Sequence, residues 1–482
     1  MTGLIIRHVT AVTMDPQRRV LEDATIVVKD DRIAAIGPDA GIAAAHPDAE
    51  VIDARGMAAI PGLIDSHAHA GHGLVRSLGA GDGAAWFGAC AEIYARGSTV
   101  GFWRAEARLA LLERLKAGVT TCLTLLGGGA DIYRTDDPAF GDAHCQATRE
   151  SGLRTILAVG PGRRPFPLHY RRLDDGEDEI ALGFERQLEV SEELIRRWND
   201  VRGRRTGVCL IMPVYHAADM AADGAEIAAM SETVADLRAR HRVLFTQDGH
   251  REGTIAIARD LGVLGPHALL SHSVDLTDAD FAALAETGAH IVHNPSAIMS
   301  VHGRCPAPEL IDAGVTVCLG SDAGAPDRGF DMFRHMAQCM HYHRRHFRDP
   351  SVMPPGKVLE MATIDAARAL GLGDDLGSLE PGKKADIVLV DMRKPHLWPP
   401  NMPVTRLAHF ANAADVDTVI VDGRVLMRGR RVLDVDEAAI LDAADAELTL
   451  ALERTGLKAL TNEPRDYWGT ARRRIERYPL RK

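Results

Sequence analysis

Two histidines separated by a single residue, His67 and His69 in PGLIDSHAHAGHG, close an apolar run. Alternate side chains of an extended strand share a face, so both imidazoles point the same way. At the end of a barrel strand that direction is the mouth. Two later apolar runs close on matching residue types, His272 in HALLSHSVDL and Asp322 in VTVCLGSDAGAP. Neutral imidazoles with one carboxylate form a borderline donor set suited to zinc, iron, cobalt or manganese, with a position left for water. Such a site makes hydroxide near neutral pH, so the chemistry in view is hydrolysis by a metal-activated water. Each feature alone has a plainer reading: paired histidines are often ordinary hydrogen-bonded ones, and SDAG reads as a turn or helix cap. Their recurrence at successive strand ends favours the metal.

The residues that must be positioned lie in a stretch where strand-like runs (RTILAVG, GVCLIMPV, RVLFTQ, HALLSHS, AHIVHN, VTVCLGSD) alternate with helical ones such as DFAALAETG and PELIDAG. That alternation predicts parallel strands with crossover helices, and its length fits a closed (β/α)8 TIM-type barrel over residues 57–378. Both chain ends read differently. Residues 1–56 carry short β-branched runs, with Asp30 and Asp31 as a hairpin turn between two of them. Residues 379–433 repeat the style, and Asp422 and Gly423 between apolar runs signal a two-residue hairpin. The fold class predicted is therefore α/β, a barrel with a small β-sandwich domain formed by both ends. Residues 434–482 begin as an amphipathic helix and finish in the basic tail RRRIERYPLRK, expected to pack on the barrel or a neighbour.

The chain's 482 residues exceed what one core usually fills, which agrees with a catalytic domain plus a smaller one. A formal net charge of −11 disfavours nucleic acid and anionic membrane, leaving a small-molecule substrate. The seven cysteines are scattered without a CxxC pair, so neither a disulfide framework nor a cysteine zinc site is implied. With no leader-like or membrane-spanning apolar run, a cytoplasmic protein is expected.

PGLIDSHAH, LLSHSVDL, IVHNPSA and LGSDAGAP occur in order and resemble the signature strand ends of the amidohydrolase superfamily. ATIVVKDDRIAAIG, LGSLEPGKKADIVLVD and VDTVIVDGRVL are similar to the split β-sandwich of that family, so the resemblance covers nearly the whole chain. Within it, GKKADIVLVDMRKPHLWPP is similar to the branch of triazine hydrolases and cytosine, guanine and S-adenosylhomocysteine deaminases. The resemblance implies one divalent metal per chain, zinc ahead of iron, cobalt or manganese, held by His67, His69, His272 and Asp322. It also implies that Asp322 takes a proton from the water and that His272 polarises the bond under attack. A homo-oligomer is a family-level expectation.

Strand five departs from the branch pattern. His-x-x-Glu is usual there, whereas this chain reads RVLFTQDGHREG. We place Gln247 at the ligand position and His250 at the glutamate position as a catalytic acid or base; a second register makes His250 the ligand, with Glu252 nearby. The stretch GVCLIMPVYH supplies no lysine for a carbamate-bridged pair of metals. His293 in IVHNPSA matches the family's strand-seven histidine, near the metal or the substrate. His72, Arg76, His216 and His302 fall in loops expected to rim the mouth and are candidate substrate contacts. The HYHRRH cluster at 341–346 lacks a companion carboxylate and reads as a helix face or interface, not a metal site.

The expected activity is hydrolysis of a non-peptide carbon–nitrogen bond in a small amide, urea, carbamate or N-heterocycle. An aromatic-ring deaminase or chlorohydrolase is the alternative among enzymes, since the missing glutamate removes the usual ring-protonating acid. A catalytically inactive metal-binding scaffold is the alternative outside them.

Overall fold

The computed structural model describes residues 3–38, 49–128, 131–174, 176, 178–199, 205–297, 299–322, 324–325 and 328–471; the basic tail RRRIERYPLRK lies outside them. Eight strands form one parallel sheet in chain order: β1 (Leu63–Ala70), β2 (Val119–Gly128), β3 (Arg154–Val159), β4 (Thr206–Ile211), β5 (Phe245–Gln247), β6 (Ala268–Ser271), β7 (His290–His293) and β8 (Val317–Leu319). Every residue of β1 and β2 is buried, as befits strands covered on both faces. Polar groups complete the ring between β8 and β1. The Asp322 amide donates to the His67 carbonyl at 2.9 Å. The Ser321 amide and hydroxyl donate to the Asp65 carboxylate at 2.8 and 2.7 Å. The chain is thus a (β/α)8 barrel.

The crossover helices start and stop where local chemistry dictates. Pro138–Ser151 begins with Asp137 accepting the Ala139 amide, has proline at its first position and ends at Gly152 with φ of 77°. Asp278–Thr287 opens on a reciprocal Thr277–Asp280 capping box and closes on Gly288 at φ 69°.

The second sheet is mixed and drawn from both chain ends. Leu4–Val12 pairs antiparallel with Val20–Lys29, which pairs with Arg32–Pro38. On its other side Leu4–Val12 runs parallel to Met57–Pro61, which is joined through Ile387–Asp391 to Val416–Val421 and Arg424–Arg428. Asp422 and Gly423 turn the hairpin between Val416–Val421 and Arg424–Arg428 with φ of 47° and 73°, the two positive values that this tight turn requires. A Cβ on Gly423 would lie 2.2 Å from the Asp30 carbonyl oxygen, so glycine is demanded twice over.

A buried cation joins this sheet to the barrel. Arg154, at the start of β3, donates to Asp386 at 2.8 Å and to Asp422 at 2.7 Å. The helix Glu437–Thr455 buries Ile440, Ala444, Ala451 and Leu452 and packs against the crossover helix Val100–Lys116. Lys116 reaches Glu437 of the same pair of helices at 2.8 Å. All seven cysteines are buried and free. No helix among the described residues is long and apolar enough to cross a membrane.

Candidate metal centre

His67 and His69 sit near the C-terminal end of β1 with ring centroids 5.0 Å apart and planes at 87°. The His69 ring nitrogen Nδ1 lies 2.8 Å from the Gly127 carbonyl at the end of β2. Donation there leaves the Nε2 lone pair facing inward, the arrangement a metal-binding imidazole needs. His272 follows β6 directly and stands 5.6 Å from His67, centroid to centroid. Asp322 lies three residues beyond β8. Both His272 and Asp322 hold positive φ, 63° and 67°, which non-glycine residues adopt at a cost and which turns their side chains into the ring of strand ends.

The fifth member of the cluster is Asp248. Its Oδ1 lies 3.2 Å from His67 Nε2 and 3.1 Å from His272 Nε2, and its Oδ2 lies 3.4 Å from His69 Nε2. Asp322 Oδ1 faces Nε2 of His67, His69 and His272 at 3.8, 3.3 and 3.8 Å. Bonds of about 2.1 Å to a shared ion would hold neighbouring donors about 3.0–3.4 Å apart, so three nitrogens and two carboxylates match a divalent cation. His67 Nε2, which faces both carboxylates, is buried and makes no hydrogen bond of good geometry. An orphaned nitrogen of this kind carries a desolvation cost that a bound cation offsets.

Charge points the same way. Burial opposes ionisation of Asp248, yet the His67 and His69 rings outweigh it and hold the carboxyl well below the usual range. For Asp322 burial is likewise overcome, by Arg328 first and then His272 and His69, again leaving it far below normal. Arg328 donates to Asp322 Oδ2 at 2.6 Å, and both side chains are buried. Burial lowers His67; His69 is raised, because Asp248 and Asp322 together exceed its desolvation. Two ionised carboxylates thus face three imidazoles, with Arg328 on one of them, and a divalent cation can take the place of the protons as their counter-charge.

Gln247, expected as the strand-five ligand, turns away: its Nε2 donates to the Pro213 carbonyl at 3.0 Å. Successive residues of an extended chain alternate sides, so the next one, Asp248, meets the histidines instead. His250 does not join them either. Its ring is buried, its Nδ1 lies 3.0 Å from Thr254 Oγ1, and burial pushes it down to about 3. Its backbone fixes the loop: the His250 amide donates to the Ser271 carbonyl, and the Val274 amide donates to the His250 carbonyl. Glu252 is exposed.

The expected rim residues scatter. His72 is buried, stacks on His69 with centroids 4.4 Å apart, and has its Nδ1 2.6 Å from the Tyr94 hydroxyl. Arg76 is engaged with Glu113 and the Gly324 carbonyl, both at 2.6 Å. His216 and His302 are exposed, at the start of helix Ala217–His241 and the end of Met299–His302. His293 ends β7 and contacts the His343 ring, Nε2 to Nε2, at 3.1 Å. His343 of the HYHRRH segment is thus buried, while His341 and His346 are exposed on the same helix.

Asp248 of the cluster, and Arg328 behind Asp322, are the two residues of the site that sequence reasoning missed. For Asp248 a signal existed, since it is the only carboxylate between Phe245 and Glu252. For Arg328, six residues past Asp322 in a loop, there was none.

The amidohydrolase family profile matches residues 58–426. The 5-methylthioadenosine/S-adenosylhomocysteine deaminase of Syntrophobacter fumaroxidans is 31% identical, covering 90% of this chain and 95% of that protein. The 5'-deoxyadenosine deaminase of Methanosarcina mazei is 30% identical, covering 92% and 97%. Among solved structures, a zinc-bound adenosine deaminase from Xanthomonas campestris superposes with a TM-score of 0.80 at 23% identity, covering 93% of this chain and 98% of that one. A zinc complex of atrazine chlorohydrolase from Arthrobacter aurescens gives 0.76 at 23% identity, covering 92% and 100%. At these identities the two structures speak for the fold.

Proposed function

The chain belongs to the amidohydrolase family and hydrolyses carbon–nitrogen bonds other than peptide bonds, and from that premise we propose that it removes the amino group of an adenine-type N-heterocycle. The convergence of His67, His69, His272, Asp248 and Asp322 carries the hydrolytic part of this reading. The deaminase relatives, matched over nine-tenths of the chain, carry the choice of leaving group.

In this reading the five residues hold one divalent ion, zinc first, whose Lewis acidity brings water to a nucleophilic state near neutral pH. Asp322 would be the carboxylate that takes the proton of that water, and Arg328 on Oδ2 keeps it oriented with Oδ1 facing the rings. That proton is then passed to the departing nitrogen. His272 faces the bond under attack. His72 supports His69 by stacking on it, and Tyr94 fixes the His72 ring. Gln247 and His250 act as positioning residues, tying the loop after β5 to Pro213 and to β6 so that Asp248 points inward.

The test pairs metal analysis with product analysis. Asp248→Ala is expected to lose the metal and at least 10²-fold in turnover, whereas Gln247→Ala retains the metal; the reverse order overturns the ligand assignment. Ammonia release from 5'-deoxyadenosine or methylthioadenosine by wild type supports deamination. A second reading, cleavage of an amide or urea, is favoured by strand five, where Asp248 and an inward-packed His250 replace the ring-protonating acid expected of a deaminase. Turnover of an amide or urea panel without ammonia from the nucleosides would select it.

A further inference from the structure

Away from the five-residue cluster, a second group of metal-ligand side chains comes together between the end of β7 and the helix Met332–Phe347. Cys339 and His343 are four residues apart on that helix and therefore share a face, and His293 closes β7 opposite them. All three are fully buried. One ligand atom from each lies within 4.8 Å of the others, and the two Nε2 atoms are 3.1 Å apart. Nδ1 of both rings has no hydrogen-bond partner.

We propose that His293, Cys339 and His343 form a second cation site, taking a zinc-class divalent ion. The donor set carries the choice: one sulfur with two imidazole nitrogens suits zinc or cobalt and repels magnesium and calcium, which need oxygen. Burial keeps the thiol protonated in the absence of an ion. Binding therefore breaks the sulfur–hydrogen bond, forms a metal–sulfur bond with the electron pair left on sulfur, and releases one proton. An ion there fastens the helix to the strand end beside the first cluster, because the His272 amide donates to the carbonyl of Val292, the residue before His293. Other bonds already draw the helix toward the loop after β7: Tyr342 donates to the Gly303 carbonyl at 2.8 Å. The site is thus a structural clamp next to the reaction centre, and it does not depend on which substrate that centre takes.

The competing arrangement is a plain histidine–histidine hydrogen bond with a bystander thiol, and cobalt distinguishes the two. The first cluster holds no sulfur, so a thiolate-to-cobalt charge-transfer band reports the second site alone. Metal-free protein reloaded with two equivalents of cobalt is expected to bind two ions per chain and to show the band. Cys339→Ser should bind one and lose the band, and Asp248→Ala should keep it. Wild type that binds one ion without the band, or a band that survives in Cys339→Ser, overturns the proposal.

Discussion

Arg328 decides how Asp322 can behave. Its guanidinium takes one carboxylate oxygen at 2.6 Å and leaves the other to the histidines, so Arg328 sets the orientation of Asp322. Replacing Arg328 by Met is expected to lower kcat about 10²-fold and metal affinity about 10- to 100-fold, the usual cost of removing a ligand's supporting partner. Arg328→Lys should recover part of both, because it restores charge without the planar fork. Metal titration alongside kinetics checks this, and an unchanged metal affinity in Arg328→Met would separate Arg328 from the ligand. His67, His69, His272 and Asp322 were legible in the sequence because each closes a strand-like apolar run. Asp248 was visible as the one carboxylate near the end of the strand-five run, but its direction was not, because it depends on where β5 stops. That stop is set by Gly249 at φ 92° and by the bonds of the His250 backbone to Ser271 and Val274, which are contacts to the neighbouring strand and its loop rather than along the chain.

Strand ends become a site only if the barrel closes, and closure rests on few groups. Asp65 on β1 is fully buried, accepts from the Ser321 amide and hydroxyl beyond β8, and lies 3.4 Å from Arg114 Nε. Asp65→Ala removes the acceptor and leaves Arg114 as a buried cation without this partner. A loss of about 3–5 kcal/mol is expected from breaking such a pair. The urea midpoint should fall accordingly. Metal retention should fall with it, since Asp322 is the residue after Ser321; a lower midpoint with full metal content would show that closure and site are independent. At this scale the sequence was informative where signals are local. The Asp422–Gly423 hairpin and the alternation of strands and helices are readable because turn chemistry and periodicity act over a few residues. The pairing of Met57–Pro61 with Ile387–Asp391 is not, because over 300 residues separate the partners and only the folded barrel brings them together.

For the whole molecule, two units share one buried cation. Arg154 belongs to the barrel, and its partners Asp386 and Asp422 belong to the sheet made by the chain ends. The first cluster likewise draws its side chains from β1 and from the segments after β5, β6 and β8, so an ion held there would crosslink strands distributed around the barrel. Binding to the folded chain alone stabilises it by about 4 kcal/mol when the free ion stands at about 1,000 times its dissociation constant. Chelation is therefore expected to lower Tm, and readdition of zinc to restore it. The distinguishing comparison is with Asp248→Ala, measured with and without zinc in the same buffer. If the five residues form the crosslink, the gap between loaded and stripped protein shrinks sharply in the variant. Should the gap persist undiminished, the stabilising ion sits elsewhere, and Cys339→Ser in the same experiment shows whether it occupies the clamp between β7 and the helix Met332–Phe347.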